Sequence, residues 1–131
     1  MNNTFNKGDI KQHFYRVCAE DIAKFESGTV HNVLSTFALG REVEWCCRLF
    51  VLDMKESTEE GIGTFLSIEH KSPAMLQSEI CVEATFESLD RNELICSYVV
   101  RVDDRVIAKG KQGQKIVAKT KLKAHFDQFK K

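Results

Sequence analysis

Residues 35–54, STFALGREVEWCCRLFVLDM, limit the possible folds of this chain more than any other stretch. Their apolar positions are Phe37, Ala38, Leu39, Val43, Trp45, Cys46, Cys47, Leu49, Phe50, Val51 and Leu52. That pattern predicts a helix from about Phe37 to Met54, apolar on most of its faces, which other elements must enclose. Glu44 lies in the middle of it. Burying a carboxylate costs on the order of several kcal/mol unless the group is paired, hydrogen-bonded or put to use. Glu44 is therefore expected either to be buried at that cost or to face a wet cavity, and either outcome marks a site.

The remainder of the chain must supply the enclosure. Its 131 residues suit one domain with one core, spanning 1–131. Lys+Arg and Asp+Glu are equal at 19 each, so no overall charge draws the chain to nucleic acid. No apolar run approaches the roughly 20 residues that span a bilayer, so no membrane partner is expected. The start, MNNTFNKGDIKQHF, is polar and lacks the apolar core of a secretion signal. The five cysteines, Cys18, Cys46, Cys47, Cys81 and Cys96, are odd in number and form no CxxC pair. Cys46 and Cys47 point about 100° apart on a helix and cannot chelate one ion together. They read as reduced, mostly buried small side chains in a cytoplasmic protein, with no metal or cofactor expected.

Around the helix the pattern is that of strands. Gly8 to Ala19 alternates loosely around Ile10, Phe14 and Val17 and predicts a first strand. Glu20 to Thr29 reads as a polar loop, and Val30 to Ser35 as either strand or short helix. Lys55 to Gly61 is a charged turn, Ile62 to Glu69 a strand, and His70 to Gln77 a loop carrying the only proline, Pro73. Ser78 to Leu89 gives the clearest alternation, with Ile80, Val82, Ala84 and Phe86 on one face. Turns at 90–93 and 103–105 separate it from strands at Leu94–Val102 and Val106–Lys119. A short basic amphipathic tail follows, with Leu122, Phe126 and Phe129 as its apolar positions.

An apolar helix cannot lie across a flat sheet with its outer face in water. A strongly curved antiparallel sheet wrapped around the helix resolves this, which is the hotdog architecture, an α+β fold. One such sheet leaves open edges, so a homodimer is expected, with further pairing into tetramers left open.

Within this framework Thr36, Glu44-Trp45-Cys46-Cys47, Gly63-Thr64 and His70 fall at a joint spacing that resembles the hotdog thioesterases of the fluoroacetyl-CoA thioesterase type. The resemblance covers residues 35–117. It implies that Thr36, Glu44 and His70 form a catalytic set hydrolysing an acyl-CoA thioester, and that Gly63 contacts the substrate. Two stretches depart from the family. FESGTVHNVL, with its single Phe25, stands where the fluoroacetyl enzyme has an aromatic-rich lid. Gly110-Lys111-Gln112-Gly113-Gln114 stands where it has a His-Glu-Arg run. Strong fluoroacetyl selectivity is therefore not expected.

The residue types suit the chemistry. Thr36 can attack a thioester or position water, and desolvation makes a carboxylate such as Glu44 a better base. An imidazole such as His70 passes protons near neutral pH. The helix N-terminus offers free N–H groups to a developing oxyanion. Eight residues of helix rise about 12 Å, so Thr36 and Glu44 cannot touch if both are helical. Either Thr36 folds back from a loop, or the site draws on two subunits. Gly40 is expected to leave room beside the carboxylate.

Each residue also has a plainer role. Ser35 or Thr36 can cap the helix. Glu44 can pair with Arg41 and Arg48, His70 can be a solvated loop residue, and Gly63 can mark a bulge. Lys109, Lys111, Lys115, Lys119, Lys121 and Lys123 suit either the phosphates of coenzyme A or a solvated face. Ala74, Met75 and Leu76 suit either an acyl pocket or a subunit contact. The leading reading is a hydrolase acting on a small or medium acyl-CoA. A non-catalytic acyl-CoA-binding hotdog protein is the second, and a hotdog dehydratase fits the motifs less well.

Overall fold

The computed structural model describes residues 1–25 and 27–130; Glu26, Lys131 and the side chains of Phe25, Thr29 and Val30 lie outside the described residues. The strands are β1 (Ile10–Arg16), β2 (Ile22–Phe25), β3 (Gly28–Leu34), β4 (Glu59–Leu66), β5 (Glu69–His70), β6 (Glu79–Asp90), β7 (Glu93–Val102) and β8 (Arg105–Ala118). The helices are α1 (Thr36–Met54) and α2 (Lys119–Asp127), with a 3-10 turn at Ala19–Asp21.

The main sheet is antiparallel throughout, in the order β1-β6-β7-β8-β4, with β5 extending the β4 edge against β8. It wraps around α1, as the expected hotdog architecture requires. The alternation read in β6 faces the helix: Ile80, Val82, Ala84 and Phe86 are buried. They meet Leu39, Val43, Cys46, Phe50 and Val51 of α1 in one core. The turns fall where expected, with Arg91 and Asp103 taking the positive φ that tight hairpins demand.

α1 begins one residue earlier than predicted. Ser35 is its cap, its Oγ accepting the Ala38 N–H at 3.0 Å. Thr36 is thus the first helical residue and not a loop residue. The helix is also less enclosed than its composition suggests. Phe37 is 88% exposed, and Trp45 and Leu52 are exposed on the same side. One chain therefore covers only part of it.

Two expectations near the N-terminus fail. The segment read as a loop over 20–29 contains the 3-10 turn and the paired strands β2 and β3, and β3 resolves the ambiguity over 30–35 as strand up to Leu34. Backbone pairing organises this small two-stranded sheet, so it carries no apolar alternation to read. The first strand is shorter than predicted, and its Ile10 and Phe14 point outward, exposed. Val17 is buried just beyond the strand. Side-chain period two places position 17 opposite in phase to 10 and 14, so the three could not share a face.

Further along, β4 starts inside the predicted charged turn, at Glu59, and breaks after Leu66 before resuming as β5. Cys46, Cys47 and Cys96 are buried as expected, Cys81 is half-buried, and Cys18 is exposed; all five are free thiols.

Candidate active site

The β4–β5 edge runs alongside α1 in the opposite direction, and the two elements meet rung by rung. Arg48 lies beside Gly61, Glu44 beside Gly63, Gly40 against Leu66 and Ile68, and Thr36 against His70. The glycines permit this approach. A Cβ on Gly61 would lie 2.7 Å from Val51 Cγ1, and one on Gly63 would overlap Oε1 of Glu44. The space beside Gly40, expected to be open, is filled: a Cβ there would lie 3.1 Å from Leu66 Cδ2.

At the helix start, Thr36 Oγ1 lies 3.0 Å from His70 Nδ1, a hydrogen bond between α1 and β5. His70 is paired through the backbone with Ala108 of β8 and is not a free loop residue. The corner that delivers it is pinned. The Tyr98 hydroxyl donates to the Ser67 carbonyl at 2.7 Å, and the Ser67 N–H donates to Lys111 O at 2.9 Å. Burial pushes the Tyr98 hydroxyl up to about 12, which keeps it a neutral donor. Thr36 also lines a cleft of ≈ 520 Å³ between β2 and α1, with Ile22, Ala23, Phe37 and Ala38 as its apolar walls.

Glu44 lies two turns further along, so a single chain does not bring it to Thr36 and His70. It is exposed, not buried, because the face of α1 that carries it is the uncovered one. It is not paired with its neighbouring arginines either. Arg41 is turned to Asp21 at 2.8 Å and Glu42 at 2.6 Å, and Arg48 to Glu60 and the Gly61 carbonyl. Among the described residues the Glu44 carboxylate has no hydrogen-bond or ion-pair partner.

Two groups were missed in the sequence. Gln112 and Gln114 are fully buried on β8 beneath Gly63. Gln114 Nε2 donates to the Glu44 backbone carbonyl at 3.3 Å and to Gln112 Oε1 at 3.0 Å. The signal was a pair of amides two residues apart, in phase with the apolar Ile116.

The second missed group is the true buried acid cluster of α1. Asp21 is 1% and Glu42 7% exposed. Tyr15 OH donates to Asp21 at 2.7 Å, as do the Cys18 N–H at 3.0 Å and Arg41, while His13 Nε2 lies 3.0 Å from Glu42. Burial pushes the Asp21 carboxyl up, but the hydrogen bonds from Cys18, Arg41 and Tyr15 outweigh it and hold the group down at about 2. The Asp21 carbonyl accepts the Ser35 N–H at 2.8 Å, so this cluster anchors the residue before Thr36.

Of the other expected positions, Ala74 is buried in the core, while Met75 and Leu76 are exposed. The six lysines do not form one patch. Lys109 and Lys111 line a different surface from Lys115 and Lys121. No described helix is long and apolar enough to cross a membrane.

Comparison with known proteins follows the same lines. The family model described as fluoroacetyl-CoA-specific thioesterase (FlK) matches residues 17–120. No sequence match is found among curated proteins. A Thermus thermophilus hypothetical protein, described as a thioesterase superfamily member, superposes with a TM-score of 0.90 at 26% identity, covering 95% of this chain and 92% of that one. The fluoroacetyl-CoA thioesterase FlK itself superposes with a TM-score of 0.90 at 16% identity, covering 98% and 100%. A hot-dog-like protein from Thermanaerovibrio acidaminovorans gives 0.87 at 16%, covering 97% and 95%.

Proposed function

The chain belongs to the fluoroacetyl-CoA-specific thioesterase (FlK) family, and from that membership we propose that it is an acyl-CoA thioesterase, cleaving a small or medium acyl-CoA to the free acid and coenzyme A. The observation that carries this reading is the 3.0 Å contact between Thr36 Oγ1 and His70 Nδ1. An alcohol held on an imidazole, at a helix N-terminus and at the mouth of an apolar cleft, is an arrangement for acyl transfer. A binding protein has no need of it.

The chemistry is completed by Glu44 from a second copy. β4 is a free sheet edge, and Phe65 and Leu66 stand exposed midway between the Gly63 and His70 rungs. Antiparallel pairing of two β4 edges about that midpoint sets the Thr36–His70 pair of one subunit opposite Glu44 and Gly63 of the other. It also covers the exposed side of α1. The Glu44 carboxylate then takes a proton from water, whose oxygen attacks the thioester carbonyl carbon. Ser35 caps Ala38 and leaves the first two N–H groups of α1 to polarise the carbonyl oxygen. The C–S bond breaks, and the proton taken by Glu44 is relayed through the Thr36–His70 pair to the thiolate, which leaves free acid and thiol and restores all three side chains. Direct attack by Thr36 would instead leave an acyl-threonine, which mass spectrometry of a rapidly quenched reaction distinguishes. The cleft at Thr36 takes the acyl group, and its size admits a short to medium chain.

A panel of acyl-CoAs assayed with a thiol reagent tests the reading. Release of free thiol from short and medium members is expected. Binding of coenzyme A with no thiol release across the panel would instead identify an acyl-CoA-binding protein. Sedimentation at micromolar concentration is expected to give a dimer; a monomer would remove the composite site.

A further inference from the structure

A second cleft, of ≈ 540 Å³, opens between α2 and the outer face of the β8–β4 edge. Its apolar wall includes Ile62, Val117 and Leu122, and Lys115, Lys121 and His125 stand around it. It also reaches Gly63. On its helix side the same glycine lies against the Glu44 carboxylate. The charge around the cleft is one-sided. Its single carboxylate, Glu59, is taken by the N-terminal ammonium group at 2.8 Å. The acid on α2, Asp127, is taken by Lys123 and Lys130. Glu93 sits across from Lys115 in the β7–β8 register, yet among the described residues neither Lys115 nor Lys121 forms an ion pair. The first turn of α2 also carries Lys119 and Lys121 and no acid, a charge order that disfavours the isolated helix. Two lysines without an ion-pair partner among the described residues, set beside an apolar wall, suit a multiply charged anion with an apolar arm.

We propose that this cleft binds the phosphorylated nucleotide end of coenzyme A, with Lys115, Lys121 and His125 on its phosphates and the pantetheine arm passing Gly63 to the thioester. The proposal rests on the thioesterase reading for its ligand. It divides the six lysines of the C-terminal region: Lys115 and Lys121 bind substrate, while Lys109 and Lys111 face elsewhere.

The test compares two thioesters, acetyl-CoA and S-acetylpantetheine, in wild type and in the double variant Lys115→Gln/Lys121→Gln. Melting temperature serves as the folding control, and binding of coenzyme A itself is measured by calorimetry. The double variant is expected to raise KM for acetyl-CoA, and Kd for coenzyme A, tenfold or more. Its kcat should stay within about twofold of wild type, and its KM for S-acetylpantetheine should be unchanged. Added salt should weaken acetyl-CoA binding in wild type and much less in the variant. Lys109→Gln/Lys111→Gln should change none of these. An unchanged KM for acetyl-CoA in the folded double variant, or an equal rise for both thioesters, overturns the proposal and leaves the thioesterase reading standing. Coenzyme A binding that depends on the two lysines, without turnover of any thioester, does the reverse. Neither binding nor turnover in wild type overturns both.

Discussion

Glu42 and Glu44 stand two residues apart on one helix and have opposite fates. Glu42 is buried, bonded to Arg41 and His13, in a cluster where Asp21, Tyr15 and Cys18 supply further hydrogen bonds. Glu44 is exposed beside Gly63 with no partner, although arginines lie three residues before it and four after. Two residues of helix turn the side chain through about 200°, so one acid faces the β1 side and the other the β4 edge. On the proposed function, the difference separates a structural acid from a chemical one. A buried carboxylate with both oxygens bonded holds elements together. A carboxylate left free on a glycine-lined edge, with nearby cations directed elsewhere, is available to a substrate.

Removing groups on each side sharpens the contrast. The largest effect is expected from Thr36→Ala and His70→Ala. Each should lower kcat by about 10²–10⁴, the range for acid–base assistance, and the double variant should cost less than the product of the two. Thr36 is exposed and Ser35 does the capping, so the Thr36→Ala melting temperature should hold. Loss of folding in place of turnover would assign the pair to structure.

The opposite pattern is expected at Asp21. Asp21→Asn should cost about 2 kcal/mol of stability, because it weakens hydrogen bonds to a buried charge, while kcat changes less than threefold. The pH dependence has a definite sign. The folded carboxyl is held at about 2 against an ordinary value of 3.8. Its stabilisation is therefore full above about pH 4 and is lost as pH falls toward 2, about 2 kcal/mol in all. Urea titrations from pH 6 to pH 2 should show that loss in wild type, and the part due to Asp21 should vanish in Asp21→Asn.

The smallest effect concerns the acyl group. Residues 22–34, which carry the β2–β3 hairpin, hold one Phe and no Tyr or Trp, so kcat/KM for fluoroacetyl-CoA and acetyl-CoA should differ by less than about tenfold. A ratio of roughly 10⁴, about 5 kcal/mol of transition-state discrimination, would show that another gate exists.

The sheet was legible in the sequence because β6, β7 and β8 are half-buried and alternate with period two. The helix was legible from Phe37 to Met54, but its exposure was not. Phe37 and Trp45 look like core residues in composition, and only the arrangement of neighbouring strands reveals that one chain leaves them uncovered. Thr36 and His70 were singled out through the family resemblance, but their contact was not readable from spacing and emerges only where α1 meets β5. The rung-by-rung approach of α1 and β4 was not readable either, because it depends on Gly61 and Gly63 facing the helix, and strand phase alone gave no reason to choose that face. Asp21 was hidden for a similar reason: its partners Tyr15, Cys18 and Arg41 come from three elements, and no local period connects them.

The central claim is that Glu44 is free in order to act on substrate. Glu44→Gln keeps the shape of the side chain and removes the base, so kcat and melting temperature measured on that one variant test the claim most directly. The account predicts a kcat lower by about 10² or more with the melting temperature unchanged, since no contact within the chain is lost. An unchanged kcat would contradict it and leave the acyl-CoA-binding reading in its place.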